Sequence, residues 1–110
     1  LRGFGASIGK AVVIREHVYV QYPWKLSIGD HCWIGRGVEI LNLEKVEIGS
    51  NVCVSQEAYL CTGSHDPMSP DFAYKNRPIT VGDRVWISLR CTILPGVRIG
   101  QDYGTPAVRH

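Results

Sequence analysis

No block of lysines or arginines runs through this chain. Its 12 basic residues are scattered among 10 acidic ones, and the formal charge of +2 is too small to argue for nucleic acid as a partner. No apolar stretch approaches the ~20 residues that a membrane-spanning helix requires. The opening residues, LRGFGASIGKAVV, lack the apolar core of a signal peptide. They also lack a methionine at the start, so the chain reads as a piece of a longer one. The four cysteines (Cys32, Cys53, Cys61 and Cys91) form no C-x-x-C pair and no zinc-binding spacing. They are read as buried, reduced thiols of a cytoplasmic protein, and no metal is expected. Helical periodicity is missing too, and so is the simple alternation of a half-buried strand.

What remains is ordinary in bulk. A chain of 110 residues, 45% apolar and 20% charged, fits one soluble domain spanning residues 1–110. A domain of that size buries roughly two-thirds of its unfolded surface, so a partner subunit would help it.

A period of six supplies the organisation. Ile8, Ile14 and Val20 are followed by Ile28, Ile34 and Ile40, by Ile48, Val54 and Leu60, and by Val81, Ile87, Ile93 and Ile99. Glycine comes directly after many of them, at Gly9, Gly29, Gly35, Gly49, Gly82 and Gly100. Four residues after each aliphatic position the side chain is often small or β-branched, as at Val12, Val18, Cys32, Val38, Val52, Ala58, Val85, Cys91 and Val97. A six-residue repeat suits short strands joined by tight turns, with the aliphatic residue inward and the small residue in the tight corner. The glycines are expected to supply turn angles that other residues resist. Three strands close one triangular coil, and coils stack at about 4.8 Å.

The spacing counts the coils. Ile8, Ile28 and Ile48 are 20 residues apart, a plain coil plus a two-residue bulge at YPWKLS and NLEKVE. Ile48 to Val81 is 33 residues, so Asp66 to Thr80 reads as a loop inserted at the third corner. Coils are expected over residues 8–65 and 81–100. Tyr103 is too large for the tight corner and Pro106 removes a strand amide, so residues 101–110 are expected to be an irregular tail. The break in the repeat, TGSHDPMSP, carries His65.

The segments SIGDHCWIG, VEIGSNVCVSQEAYLCTGSHD, RPITVGDRVWI and TILPGVRIG resemble the hexapeptide-repeat O-acetyltransferases. The likeness is strongest to the colanic-acid and exopolysaccharide biosynthesis acetyltransferases, and more distant to the galactoside and maltose acetyltransferases. It runs from about Ile8 to Gly100. It implies an all-β, left-handed parallel β-helix; ordinary crossovers are right-handed, so the hand comes from the resemblance alone. It also implies a homotrimer with active sites in the grooves between subunits, walled by the inserted loop. Acetyl-CoA would be the cosubstrate, and a sugar hydroxyl, free or carried on a nucleotide or lipid, the acceptor.

On this likeness His65 matches the catalytic base, since an imidazole titrates near neutral pH and can take the hydroxyl's proton. Asp66 either orients it or starts the loop as a turn residue. Trp86 lies along the pantetheine arm of CoA or packs on the outside of the prism. Leu89 and Ala107 match positions that approach CoA. Asn42 is placed on the acceptor side, with Leu41 where relatives often carry an aspartate. Arg84, Arg90 and Arg98 either meet CoA phosphates or keep the surface soluble. Tyr22, Pro23 and Trp24 suit a subunit contact, and Phe72 and Tyr74 suit the groove wall. His17, His31 and His110 are read as structural or surface residues. Ser88 and Glu57 depart from the usual small residues at their positions. Two other readings stand beside this one: a γ-class carbonic anhydrase, which would need further zinc histidines near His65, and a β-helix that folds and associates without catalysis.

Overall fold

The computed structural model describes residues 2–65 and 74–104. Every strand is two or three residues long, as a six-residue repeat with a turn in each unit demands. The first coil consists of β1 (Ser7–Ile8), β2 (Val13–Ile14) and β3 (Tyr19–Val20). The second is β4 (Leu26–Ile28), β5 (Trp33–Ile34) and β6 (Glu39–Leu41), and the third β7 (Val46–Ile48), β8 (Cys53–Val54) and β9 (Tyr59–Cys61). Two strands then leave the prism, β10 (Gly63–His65) and β11 (Tyr74–Asn76). The fourth coil follows as β12 (Ile79–Val81), β13 (Trp86–Ile87) and β14 (Thr92–Ile93), and β15 (Arg98–Ile99) opens the next turn.

The strands form three parallel sheets, one per face: β1-β4-β7-β12-β15, β2-β5-β8-β13 and β3-β6-β9-β14. Register follows the aliphatic repeat. Ile8, Ile28, Ile48, Val81 and Ile99 stand directly over one another on the first face. Ile14, Ile34, Val54 and Ile87 do so on the second, and Val20, Ile40, Leu60 and Ile93 on the third. The same residues, with the small ones at the corners, make one continuous core along the prism. A slip of one residue would turn each aliphatic side chain outward, so burial fixes the register.

The glycines act differently from the turn role expected of them. Gly9, Gly29, Gly35, Gly49 and Gly82 do not have positive φ; instead, a Cβ added at any of them would come within 2.9 Å of backbone in the next coil. They are glycine because the coils approach too closely for a side chain. The left-handed turn residue lies three positions after the aliphatic one, at Ala11, His17, His31, Gly37, Asn51, Glu57, Arg84, Arg90, Gly96 and Asp102. His17 and His31 are therefore structural corner residues. The residue after each first-face glycine makes a second ladder: Asp30 Oδ1 accepts from Lys10 N at 2.8 Å, Ser50 Oγ from Asp30 N at 2.9 Å, and Asp83 Oδ1 from Ser50 N at 2.8 Å. Each side chain satisfies a turn amide of the coil before it.

Two boundaries differ from expectation. The parallel ladder resumes at Ile79, which pairs with Val46, two residues before the expected restart of the coil at Val81. At the other end the coil continues past Gly100. Asp102 takes the corner angle, its N–H donates to Asp83 O at 2.9 Å, Trp86 N donates to Tyr103 O at 3.0 Å, and Gly104 pairs with Trp86. Tyr103 is tolerated because its ring stays 55% exposed and does not enter the corner. Residues 105–110 lie outside the described ones.

Candidate functional site

The third corner is where the chain departs from its repeat. Tyr22, Asn42 and Thr62 occupy equivalent places there in successive coils. Thr62 is fully buried. Its hydroxyl donates to Leu41 O at 3.2 Å and accepts from Glu44 N at 3.0 Å, while its carbonyl accepts from Arg77 N at 2.8 Å. From this anchored residue the chain turns out into β10, which pairs antiparallel with β11: Gly63 with Asn76, Ser64 with Lys75, His65 with Tyr74. His65 thus ends a strand that is hydrogen-bonded at its root and held by a partner along its length. Gly63 leaves no room for a side chain, since a Cβ would lie 2.9 Å from Leu43 Cδ1 and closer still to the Asn76 amide. Asp66 and Phe72 lie outside the described residues.

At the foot of this ribbon a groove of about 260 Å³ opens on the outer side of the third face, lined by Gln21, Leu41, Leu43, Tyr59, Cys61 and Gly63. Among the described residues no charged side chain lines it. Burial, then a hydrogen bond with Cys61 and the charges of Cys61 and Glu39, hold the Tyr59 phenol above its ordinary value, so at neutral pH it is an uncharged hydroxyl. The Cys61 thiol donates to Gly63 O at 2.8 Å. Apart from Leu41, noted on the acceptor side, the groove residues were not singled out as site residues from sequence, although a signal existed: Gln21, Leu41 and Cys61 each follow the third aliphatic residue of a coil.

Asn42, expected on the acceptor side, is elsewhere. It is fully buried, with Oδ1 accepting from Tyr22 N at 2.8 Å and Nδ2 donating to Tyr22 O at 2.7 Å. Both ends of the amide are spent bracketing the corner of the neighbouring coil, and no surface is left for an acceptor to touch.

A second constellation lies on the outer side of the second face. Val13, Trp33, Cys53 and Trp86 stack there in register, with Val13, Trp33 and Trp86 exposed and the Arg15 guanidinium 5.3 Å from the Trp33 ring centroid. Trp86 is 56% exposed and its indole N–H donates to Ser55 Oγ at 2.8 Å. Leu89 is exposed beyond it, while Ser88 is buried. These surfaces suit a flexible, largely apolar arm. Two of the three candidate arginines are already paired: Arg84 Nε lies 2.6 Å from Asp102 Oδ1, and Arg90 Nε 3.0 Å from Glu57 Oε2, while Arg98 is exposed. Ala107 lies outside the described residues. All four cysteines are free; Cys32 and Cys91 are buried as expected, Cys53 and Cys61 only half so. Among the described residues no cluster could hold a metal ion, and no helix is long and apolar enough to cross a membrane.

Comparison with known proteins bears on the family and the fold. No family-wide sequence model matches the chain. A putative colanic acid biosynthesis acetyltransferase of Escherichia coli K12 is 47% identical over 100 residues, 91% of this chain and 55% of that protein. The chain thus spans about half the length of the curated relatives it matches. Among solved structures, a galactoside acetyltransferase in complex with coenzyme A superposes with a TM-score of 0.82 at 27% identity, over 89% of this chain and 50% of that one. A hexapeptide-repeat containing acetyltransferase of Vibrio cholerae, complexed with acetyl coenzyme A, superposes with a TM-score of 0.88 over 96% of this chain and 60% of that one; at 24% identity this speaks for the fold. The coil is the left-handed parallel β-helix of hexapeptide repeats.

Proposed function

We propose that this chain, which belongs to the hexapeptide-repeat acetyltransferases by sequence and fold, carries the core of an enzyme that moves an acetyl group from acetyl-CoA to a sugar hydroxyl. The observation that supports this most is the break at the third corner. The prism opens there to send out a paired strand that runs to His65 and whose first residue, Gly63, lines a groove. His65 takes the proton of the acceptor hydroxyl as the oxygen attacks the thioester carbonyl. The C–O bond forms, the C–S bond breaks, and the proton passes from the imidazole to the departing thiolate. A base so placed contributes roughly 10²–10⁴ in rate. The groove seats the acceptor ring, with the Tyr59 hydroxyl and the Gln21 amide as hydrogen-bonding groups and Leu41 and Leu43 against its apolar face. Trp86 is assigned to the pantetheine arm with Leu89 approaching CoA beside it, while Ala107 as a CoA-approaching position and Asp66 as a partner of the base rest on the family likeness alone.

The exposed aromatic column on the second face favours association, and we take the working form to be a homotrimer in the cytoplasm, where acetyl-CoA is available. The likeness to the colanic acid relative points to exopolysaccharide building blocks as acceptors. A screen of acetyl-CoA turnover against neutral and charged sugar acceptors tests this reading. Acceptor-dependent release of CoA that disappears in His65→Ala is expected. Turnover surviving that change would remove His65 as base, and CoA binding without turnover on any acceptor would favour a non-catalytic β-helix.

A further inference from the structure

We infer that Ser55 is a positioning residue for Trp86, and that it sets the pose of the indole against the acetyl donor; this rests on the reading of Trp86 as a wall of the CoA site. The indole nitrogen can only donate. A tryptophan more than half exposed is held less by packing than a buried one, so a hydrogen bond to its ring nitrogen bears on its pose. Here the nitrogen donates to Ser55 Oγ at 2.8 Å. Ser55 is itself held, because its N–H donates to Ile87 O at 2.8 Å. It follows Val54 on the coil below, in the column of Gly35 and Ser88. Backbone register thus fixes the hydroxyl, the hydroxyl fixes the indole, and the ring face is presented to solvent in one orientation. A glycine or alanine at residue 55 would fit the coil equally well but would release the ring.

Pre-ordering one exposed ring through one hydrogen bond of ordinary strength corresponds to about two- to ten-fold in affinity. The test is calorimetric titration of CoA into the wild-type chain and into Ser55→Ala, Ser55→Thr, Trp86→Phe and the Ser55→Ala/Trp86→Phe double variant, each with its melting temperature. Weaker binding in Ser55→Ala, recovery in Ser55→Thr, and a double variant no weaker than Trp86→Phe alone would support positioning through the indole N–H. Wild-type affinity in Ser55→Ala would overturn the inference and leave the CoA site standing. Additive losses, or a loss matched by a fallen melting temperature, would also overturn it, since Ser55 would then act on the coil itself. Absence of CoA binding by the wild-type chain would instead remove the donor-site reading, and this inference with it.

Discussion

Gly49→Ala is the sharpest test of why the coils carry glycine after the first-face aliphatic residue. An added Cβ would lie 2.9 Å from Gly82 C and 3.0 Å from Asp83 N, and closer still to the Asp83 carboxylate. Two of those three atoms are backbone of the coil above, so no rotamer change relieves them. The coils would have to part locally, where Gly49 N donates to Val81 O at 2.8 Å and Ser50 N to Asp83 Oδ1 at 2.8 Å. Overpacking of this kind costs about 1–3 kcal/mol, and a weakened Ser50–Asp83 hydrogen bond adds about 1 kcal/mol. For a domain near this size that total lowers the melting temperature on the order of 10–25 °C. Gly100→Ala is the matched control. Gly100 holds the same place on the same face, but nothing lies within 4 Å of an added Cβ. Alanine there costs nothing in contacts and stiffens the unfolded chain, which stabilises by about 0.4–1 kcal/mol where the backbone angles allow it. Thermal melts followed by far-ultraviolet circular dichroism compare the two. Equal melting temperatures for the two variants would refute the close-approach argument and return the glycines to a torsional role.

Asn42→Ala should lose about 2–4 kcal/mol by stranding two backbone groups of Tyr22, read by urea denaturation; a change in acceptor affinity at unchanged stability would instead restore Asn42 to the acceptor side. His65→Ala should lower kcat by roughly 10²–10⁴ with little change in CoA affinity, and near-normal turnover would exclude it as the base. Asp102 has its folded pKa lowered, first by its hydrogen bond from Arg84. The stabilisation is therefore present above the unfolded carboxylate range and lost as pH falls through the lowered folded value. Asp102→Asn should flatten the acid limb of a melting-temperature profile, and an unchanged limb would show the pair to be without effect. Sedimentation at micromolar concentration should give a trimer; monomer alone would remove the inter-subunit groove.

The coil was legible in the sequence because its physical cause repeats in the sequence. One inward aliphatic side chain per six residues is the stacking column itself, and the spacing of Ile8, Ile28 and Ile48 is the coil. The role of glycine was misjudged because a glycine at a given place records that a side chain is excluded, not whether torsion or contact excludes it. A signal was present: His17, His31, Gly37, Asn51, Gly96 and Asp102 all fall three residues after an aliphatic position, and these residue types tolerate left-handed angles. Tyr103 misled for a related reason. A large residue breaks a corner only if its side chain enters it, and an outward ring leaves the register intact. The site was legible only where it interrupted the repeat. His65 stood out because the period fails there, whereas Tyr59, Cys61 and Gln21 obey the period and merely point outward. Asn42 was misplaced because an isolated polar residue in a sequence looks the same whether it faces a substrate or brackets a buried corner.

The third corner also explains how a prism of two- and three-residue strands can carry a long insertion. Closing a loop of this length has an entropic cost that grows only slowly with its length, so what matters is whether its ends are pinned. Both are. The outgoing chain is fixed at Thr62, whose N–H donates to Leu41 O at 3.1 Å and whose side chain is closed into the corner. The returning chain is fixed by Arg77 N on Thr62 O at 2.8 Å and Ile79 N on Lys45 O at 3.0 Å. Between these anchors the β10–β11 ribbon adds its own ladder, so the insertion leaves a rigid base as paired strands. A base in the role proposed for His65 would have to be held within a fraction of an ångström of its working place, and elements of regular structure do this better than free loops. The coil supplies the rigid corner, Asn42 and Thr62 seal it with buried hydrogen bonds, and the ribbon carries His65 out from it. A chain that kept its six-residue period throughout would have the stability of the prism and no ribbon at this corner.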